Sequence, residues 1–205
     1  MITIKELINV YPDSFDKEEL IKKINEYFAF SCKGARTSRR KRRNKIIVKQ
    51  SYNEVLELLD FLKDEEINSY LEIGLEKGGN FFLLSSIFRK YNENFDCSLG
   101  IDIKNSLYDF IENDELLILD FCNCLDYKLD KNFDYIFIDT NQSYSDLKKV
   151  FEVYKNKSNK FIAFHDVNDR RWGNKKFFNE LKETYKYKHF SHSGAGIGLI
   201  DLRKD

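Results

Sequence analysis

The chain has 205 residues, 42% of them hydrophobic and 15% aromatic, with 34 basic and 34 acidic side chains. That length and apolar content predict one folded unit with a sizeable core and exclude a disordered chain. A formal net charge of zero excludes a nucleic-acid-binding bias of the chain as a whole, and no apolar run approaches the roughly 20 residues of a membrane span.

The four cysteines, Cys32, Cys97, Cys122 and Cys124, are few for this length. No leader is visible after Met1, so a cytoplasmic protein is expected. Cys122 and Cys124 lack C-x-x-C spacing or a histidine partner and read as structural thiols.

In chain order, Leu20, Ile21, Ile24, Tyr27 and Phe28 fall at helical spacing over 16–31. Asp13 and Ser14 offer start signals just after Pro12. Residues 1–46 are therefore assigned to an N-terminal helical extension, and 47–205 to the main domain. The extension ends in a basic block, 36–45, with seven cations in ten positions. Such a block repels itself and reads as a solvated loop; its functional reading is capture of an anionic substrate or of nucleic acid. Ser51 and Glu54 fit a capping box for a helix over 51–63, with Val55, Leu58, Leu59 and Leu62 on one face.

From there strands and helices alternate. Strands are expected near Leu71 and over 95–103, 115–120, 133–139 and 160–166. Helices are expected over 81–88, from about 106, and over 143–154 and 174–185. Two closing strands near 187–191 and 197–202 flank a turn with Gly194 and Gly196. The alternation predicts an α/β fold with a mostly parallel seven-stranded sheet and helices on both faces. Ligands of such sheets bind outside the carboxyl ends of the strands. Five successive strands end in an acid, namely Glu72, Asp102, Asp120, Asp139 and Asp166, which makes that edge the predicted site.

The stretch Ser69–Asn80 combines a strand, an acid and a turn with Gly74, Gly78 and Gly79 before a helix. Such a turn lets backbone approach a ligand closely. Glu76 stands where a dinucleotide fingerprint needs its second glycine, and no phosphate-loop Gly-Lys-Ser/Thr is present. Glu72-Ile73-Gly74 followed by Gly78 instead resembles the first motif of the class I S-adenosylmethionine-dependent methyltransferases. Gly100-Ile101-Asp102-Ile103, Ile138-Asp139 and Phe164-His165-Asp166 extend the likeness. Ile47-Val48-Lys49-Gln50, Gly78-Gly79-Asn80, Ser143-Tyr144, Ala163-Phe164-His165-Asp166-Val167 and Gly196-Ile197-Gly198 resemble the branch with cephalosporin-hydroxylase-like and macrocin-type sugar O-methyltransferases. The likeness covers about Ile47 to Leu202 and implies a Rossmann-like methyltransferase fold.

The resemblance also implies a role for each strand end. Glu72, Gly74, Gly78, Gly79 and Asn80 would line the methionine and ribose side of S-adenosylmethionine. Asp102 would accept the ribose hydroxyls and Asp120 would sit at the adenine; capping a following helix is the alternative for each. In metal-dependent members an acid after the fourth strand and an acidic pair after the fifth hold Mg²⁺, positions matched by Asp139, His165 and Asp166. An imidazole suits Mg²⁺ poorly, so His165 is read alternatively as a general base. The family pattern I-D-G-D-H-S-Y reads here Ile138-Asp139-Thr140-Asn141-Gln142-Ser143-Tyr144. Gln142 thus takes the place of the candidate catalytic histidine, where it can orient a substrate and cannot take a proton.

The implied activity is methylation of a small hydroxylated molecule such as a sugar or glycoconjugate, with the basic block favouring an anionic acceptor. A methyltransferase-like binding module without turnover is one alternative. A nucleic-acid methyltransferase is the other, disfavoured by the absence of an N-P-P-Y-like motif. Trp172, beside Arg170 and Arg171, is either a floor for an acceptor pocket or a packing residue. An oligomer is compatible with the sequence.

Overall fold

The computed structural model describes residues 3–31, 45–107, 115–140, 143–169, 173–191 and 194–203. Helices α1 (Ile4–Val10) and α2 (Lys17–Tyr27) lead into strand β1 (Phe28–Phe30), which pairs in parallel with β2 (Ile46–Val48). After α3 (Tyr52–Leu62) come β3 (Ser69–Ile73), α4 (Gly79–Tyr91), β4 (Cys97–Asp102), β5 (Leu117–Phe121) and β6 (Phe133–Ile138). Helix α5 (Tyr144–Tyr154), β7 (Ser158–His165), α6 (Asn174–Leu181), β8 (Lys186–Phe190) and β9 (Ile197–Asp201) complete the order.

Strands β3 to β9 form one sheet in the order β5-β4-β3-β6-β7-β9-β8, in which only β9 runs against its neighbours. This is the mostly parallel seven-stranded sheet that the alternation predicts. The chain steps outward from β3 to β5 and then returns beside β3 as β6. The switch point, where a crevice opens in such sheets, therefore lies between β3 and β6.

Successive strand residues alternate between the two faces, and two apolar clusters result. Tyr70, Tyr135, Phe137, Phe161 and Leu199 pack with α1 to α4 on one face. Leu71, Ile73, Leu99, Ile101, Ile136, Ile138 and Phe164 pack with α5 and α6 on the other. Tyr70 stacks on Tyr135 with centroids 5.5 Å apart and planes 16° off parallel.

The N-terminal region departs from its expectation in three ways. It contains strand β1 as well as helices, and β2 runs across position 46. Its Ile4, Leu7, Tyr11, Leu20, Ile24 and Phe28 share one core with α3 and α4. Thr3 and Glu6 form a reciprocal capping box at α1 that the helical pattern did not flag, and α2 starts from Asp16, whose carboxylate accepts from Glu18 and Glu19 N–H.

The capping box expected at α3 is not formed. Ser51 holds the N-cap position with no side-chain bond, and Glu54 is fully buried. Glu54 turns inward because the turn before β9 docks on it: its Oε1 accepts the Gly196 N–H at 3.2 Å. A Cβ at Gly194 would lie 2.7 Å from both Glu54 oxygens.

The basic residues 36–44, most of the helix expected from 106, Asn141, Gln142, Arg170, Arg171 and Trp172 lie outside the described residues. Among the described residues no helix is long and apolar enough to cross a membrane.

Candidate active site at the strand ends

Strand register brings the expected residues to one level. Glu72 pairs with Gly100, and Ile73 with both Ile101 and Ile138. One step further, Asp102, Gly74 and Asp139 therefore stand side by side. Ile138 pairs with Phe164, so His165 joins the same row. Glu72 sits two residues down its strand, about 6.6 Å below the row, and is buried.

The glycine turn fits only as glycine. Gly74 has φ +91°, and a Cβ there would lie 2.1 Å from the Asp139 carbonyl oxygen. Gly78, at φ +79°, is the N-cap of α4. Gly79 lies against the Ile47 carbonyl of β2, where a Cβ would approach to 1.9 Å.

Asp102 holds this turn from the end of the neighbouring strand β4. Its Oδ2 accepts the N–H groups of Leu75 at 2.7 Å and Glu76 at 2.9 Å, and its Oδ1 accepts that of Lys104 at 3.0 Å. A carboxylate has about four acceptor sites, so one remains for a ligand hydroxyl. Asp102 thus organises the glycine loop, beyond the ribose role that the resemblance implies for it.

Glu72 and Asn80 also meet. Asn80 Nδ2 donates to Glu72 Oε2 at 3.0 Å, and the Tyr70 hydroxyl donates to the same oxygen. Burial pushes the Glu72 carboxyl up to about 8, against the lowering effect of the Tyr70 bond. Asp120 is the exception in the expected row. It pairs with Ile101, so alternation turns it to the α5 face, away from Asp102. Phe121, paired with Asp102, takes that place and is 37% exposed; Ile103 beside it is 70% exposed.

On the other side of the switch point, Asp139, His165 and Asp166 offer ligand atoms within 4.8 Å of one another. His165 Nδ1 lies 3.1 Å from Asp139 Oδ1 and 3.5 Å from Asp166 Oδ1. Asp166 turns the chain sharply at φ +60°, a conformation that Asp tolerates better than most residues. Burial pushes the His165 imidazole down, but the charge and hydrogen bond of Asp139, with Asp166 and Glu54 adding to it, lift it to about 9. The bare carboxylates thus favour the protonated, donating form of the ring.

Gln50 and Glu54 were not foreseen here. Gln50 Nε2 donates to Asp139 Oδ2 at 2.6 Å. Gln50 Oε1 and Glu54 Oε2 are buried without a hydrogen-bond partner, as are Asn80 Oδ1, Thr140 Oγ1 and Asn174 Oδ1. The Ile47–Gln50 motif was the available signal for Gln50, while Glu54 was masked by its fit to a capping box. The cluster's two carboxylates and one imidazole fit a divalent cation. The nitrogen suits Mn²⁺ or Zn²⁺ better than Mg²⁺.

No family model matches the sequence, and no curated protein matches it. Solved structures do. A Staphylococcus aureus protein assigned as a caffeoyl-CoA O-methyltransferase superposes with a TM-score of 0.60 at 16% identity, over 92% of this chain and 99% of its own. The fold is that of the class I methyltransferases. The O-methyltransferase TomG from Streptomyces achromogenes, solved with S-adenosylmethionine, gives 0.53 at 15% identity over 78% of this chain and 83% of its own. The N-methyltransferase NodS from Bradyrhizobium japonicum gives 0.52 at 13% identity over 74% and 94%. The neighbours thus include both N- and O-methyltransferases.

Proposed function

We propose that the protein is an S-adenosylmethionine-dependent methyltransferase acting on the hydroxyl of a small acceptor such as a sugar or glycoconjugate. The observation that carries this reading is the single row Asp102–Gly74–Asp139–His165, which sets a glycine turn beside a polar cluster. The methionine end of the cofactor would rest on the Gly74–Gly79 turn above Glu72 and Asn80. The ribose hydroxyls would take the remaining acceptor site of Asp102 Oδ1, and the adenine would lie between Ile103 and Phe121, with Asp120 behind.

The reaction needs little from the protein beyond placement. A sulfonium is already a good leaving group, so the residues must hold the acceptor oxygen in line with the methyl group and keep water out. The acceptor would enter over β6 and β7, where Asp139 and Asp166 can accept its hydroxyl proton and the protonated His165 holds them in register. A divalent cation at Asp139, His165 and Asp166 would take the place of that ring proton and acidify the acceptor hydroxyl. The seven cations of the basic block 36–45 favour an anionic acceptor by their charge.

Thermal melting with S-adenosylhomocysteine tests the reading. A ligand at about a hundred times its dissociation constant adds about 2.7 kcal/mol, or roughly 5–10 °C for a chain of this size. No shift at saturating S-adenosylmethionine or S-adenosylhomocysteine would overturn it.

A further inference from the structure

We propose that Gln50 is a positioning residue of the reaction centre: it fixes the Asp139 carboxylate for a divalent cation and accepts a hydrogen bond from a water or hydroxyl held there. The inference rests on the functional reading above and assigns a role to a residue outside the expected ligand set.

The backbone at Gln50 is held from two sides. Ile46 and Val48 of β2 are buried in the core shared with α3 and α4, and Ile47 presses its carbonyl against Gly79 at the first turn of α4. The next residue, Ser51, is the N-cap of α3. The side chain is 2% exposed, so it has few rotamers to choose from. Its amide nitrogen donates to Asp139 Oδ2 at 2.6 Å, while Asp139 Oδ1 faces His165 Nδ1 at 3.1 Å. The terminal torsion of an aspartate is soft and two-fold. A donor on Oδ2 decides which oxygen is turned toward the cluster, and that is what a partner of a metal-binding carboxylate does.

The other end of the amide points to a ligand. Gln50 Oε1 is buried with no partner. Flipping the amide would not help, because Oε1 would then meet a carboxylate oxygen. Its neighbour Asp139 is an acceptor too, and the His165 Nδ1 is already turned to Asp139 and Asp166. Buried acceptors are as a rule satisfied, and a bound species that brings a donor would satisfy this one. A water on a divalent cation, or the hydroxyl of the acceptor molecule, supplies it.

Manganese(II) is the probe, added to the full chain saturated with S-adenosylhomocysteine and followed by the paramagnetic resonance signal of the free ion. Gln50→Ala should raise the manganese dissociation constant about 10- to 100-fold, with S-adenosylhomocysteine affinity unchanged within about threefold. Gln50→Met, which keeps the length and fills the space, should lose manganese to the same extent; a role in packing alone would leave it normal. Wild-type affinity in either folded variant overturns the inference. Wild-type protein that takes S-adenosylhomocysteine but no manganese at millimolar concentration overturns this inference and leaves the methyltransferase reading standing. Protein that takes neither sinks both.

Discussion

The two sides of the switch point use their carboxylates in opposite ways. On the β4 side, Asp102 is engaged by three backbone N–H groups, all within 27 residues of it in sequence. That half is a rigid cradle, complete before any ligand arrives. On the β6–β7 side, Asp139 and Asp166 share one imidazole and are steadied by Gln50, 89 positions before Asp139. Several acceptor oxygens there lack partners. The first half binds by shape and the second waits for a donor. A single sheet edge thus carries two halves whose carboxylates are satisfied to different degrees.

Substitutions can break that contrast. The largest effect is expected from Gly74→Ala, because the glycine joins the two halves. Its Cβ would collide with the Asp139 carbonyl at φ +91°. Left-handed strain and overpacking together should cost about 3 kcal/mol or more, a fall of roughly 6–12 °C in Tm, with loss of S-adenosylhomocysteine binding by calorimetry. Next is Asp102→Ala, which leaves the Leu75 and Glu76 N–H groups without their acceptor. About 2 kcal/mol of stability should go, together with the S-adenosylhomocysteine-induced rise in Tm, while manganese binding persists at the other half.

Glu72→Gln sharpens the contrast through pH. The folded-state value of about 8 lies above the 4.5 of a free glutamate, so over that window the native state binds more protons than the unfolded one. Stability falls as pH rises from about 4.5 to about 8 and then levels, by up to a few kcal/mol. His165, raised from 6.5 to about 9, contributes stability that is present below pH 6.5 and lost as pH climbs through 9. In Glu72→Gln the first fall should vanish from a series of urea melts and the second should remain. The smallest effect belongs to Asp60→Asn. Lys17 and Lys63 both lie 3.2 Å from the Asp60 carboxylate in exposed pairs, and its loss should change stability by no more than a few tenths of a kcal/mol by denaturant melts.

The sequence makes the cradle readable and hides much of its counterpart. The alternation of strands and helices fixes the sheet, and Gly74, Gly78 and Asp102 lie in short motifs whose spacing carries their geometry. The face that Asp120 takes was not legible, because a strand-end acid can face either side and only pairing with Ile101 decides which. Glu54 was misread because a local capping pattern and a tertiary contact to Gly196 look alike until the fold brings them together. Gln50 shows in the sequence only through the Ile47–Gln50 motif, because its partner Asp139 comes from another strand. His165 shows its residue type in the sequence, but its charge depends on three carboxylates brought together by folding.

The bond between Glu54 and Gly196 also sets a schedule for the newborn chain. The two residues are 142 positions apart, and at about 5–20 residues per second a ribosome needs roughly 7–28 seconds to make the second after the first. During that wait the first turn of α3 holds an acid turned toward a core with nothing to donate to it. The contact between α3 and the turn before β9 therefore belongs to the late part of synthesis.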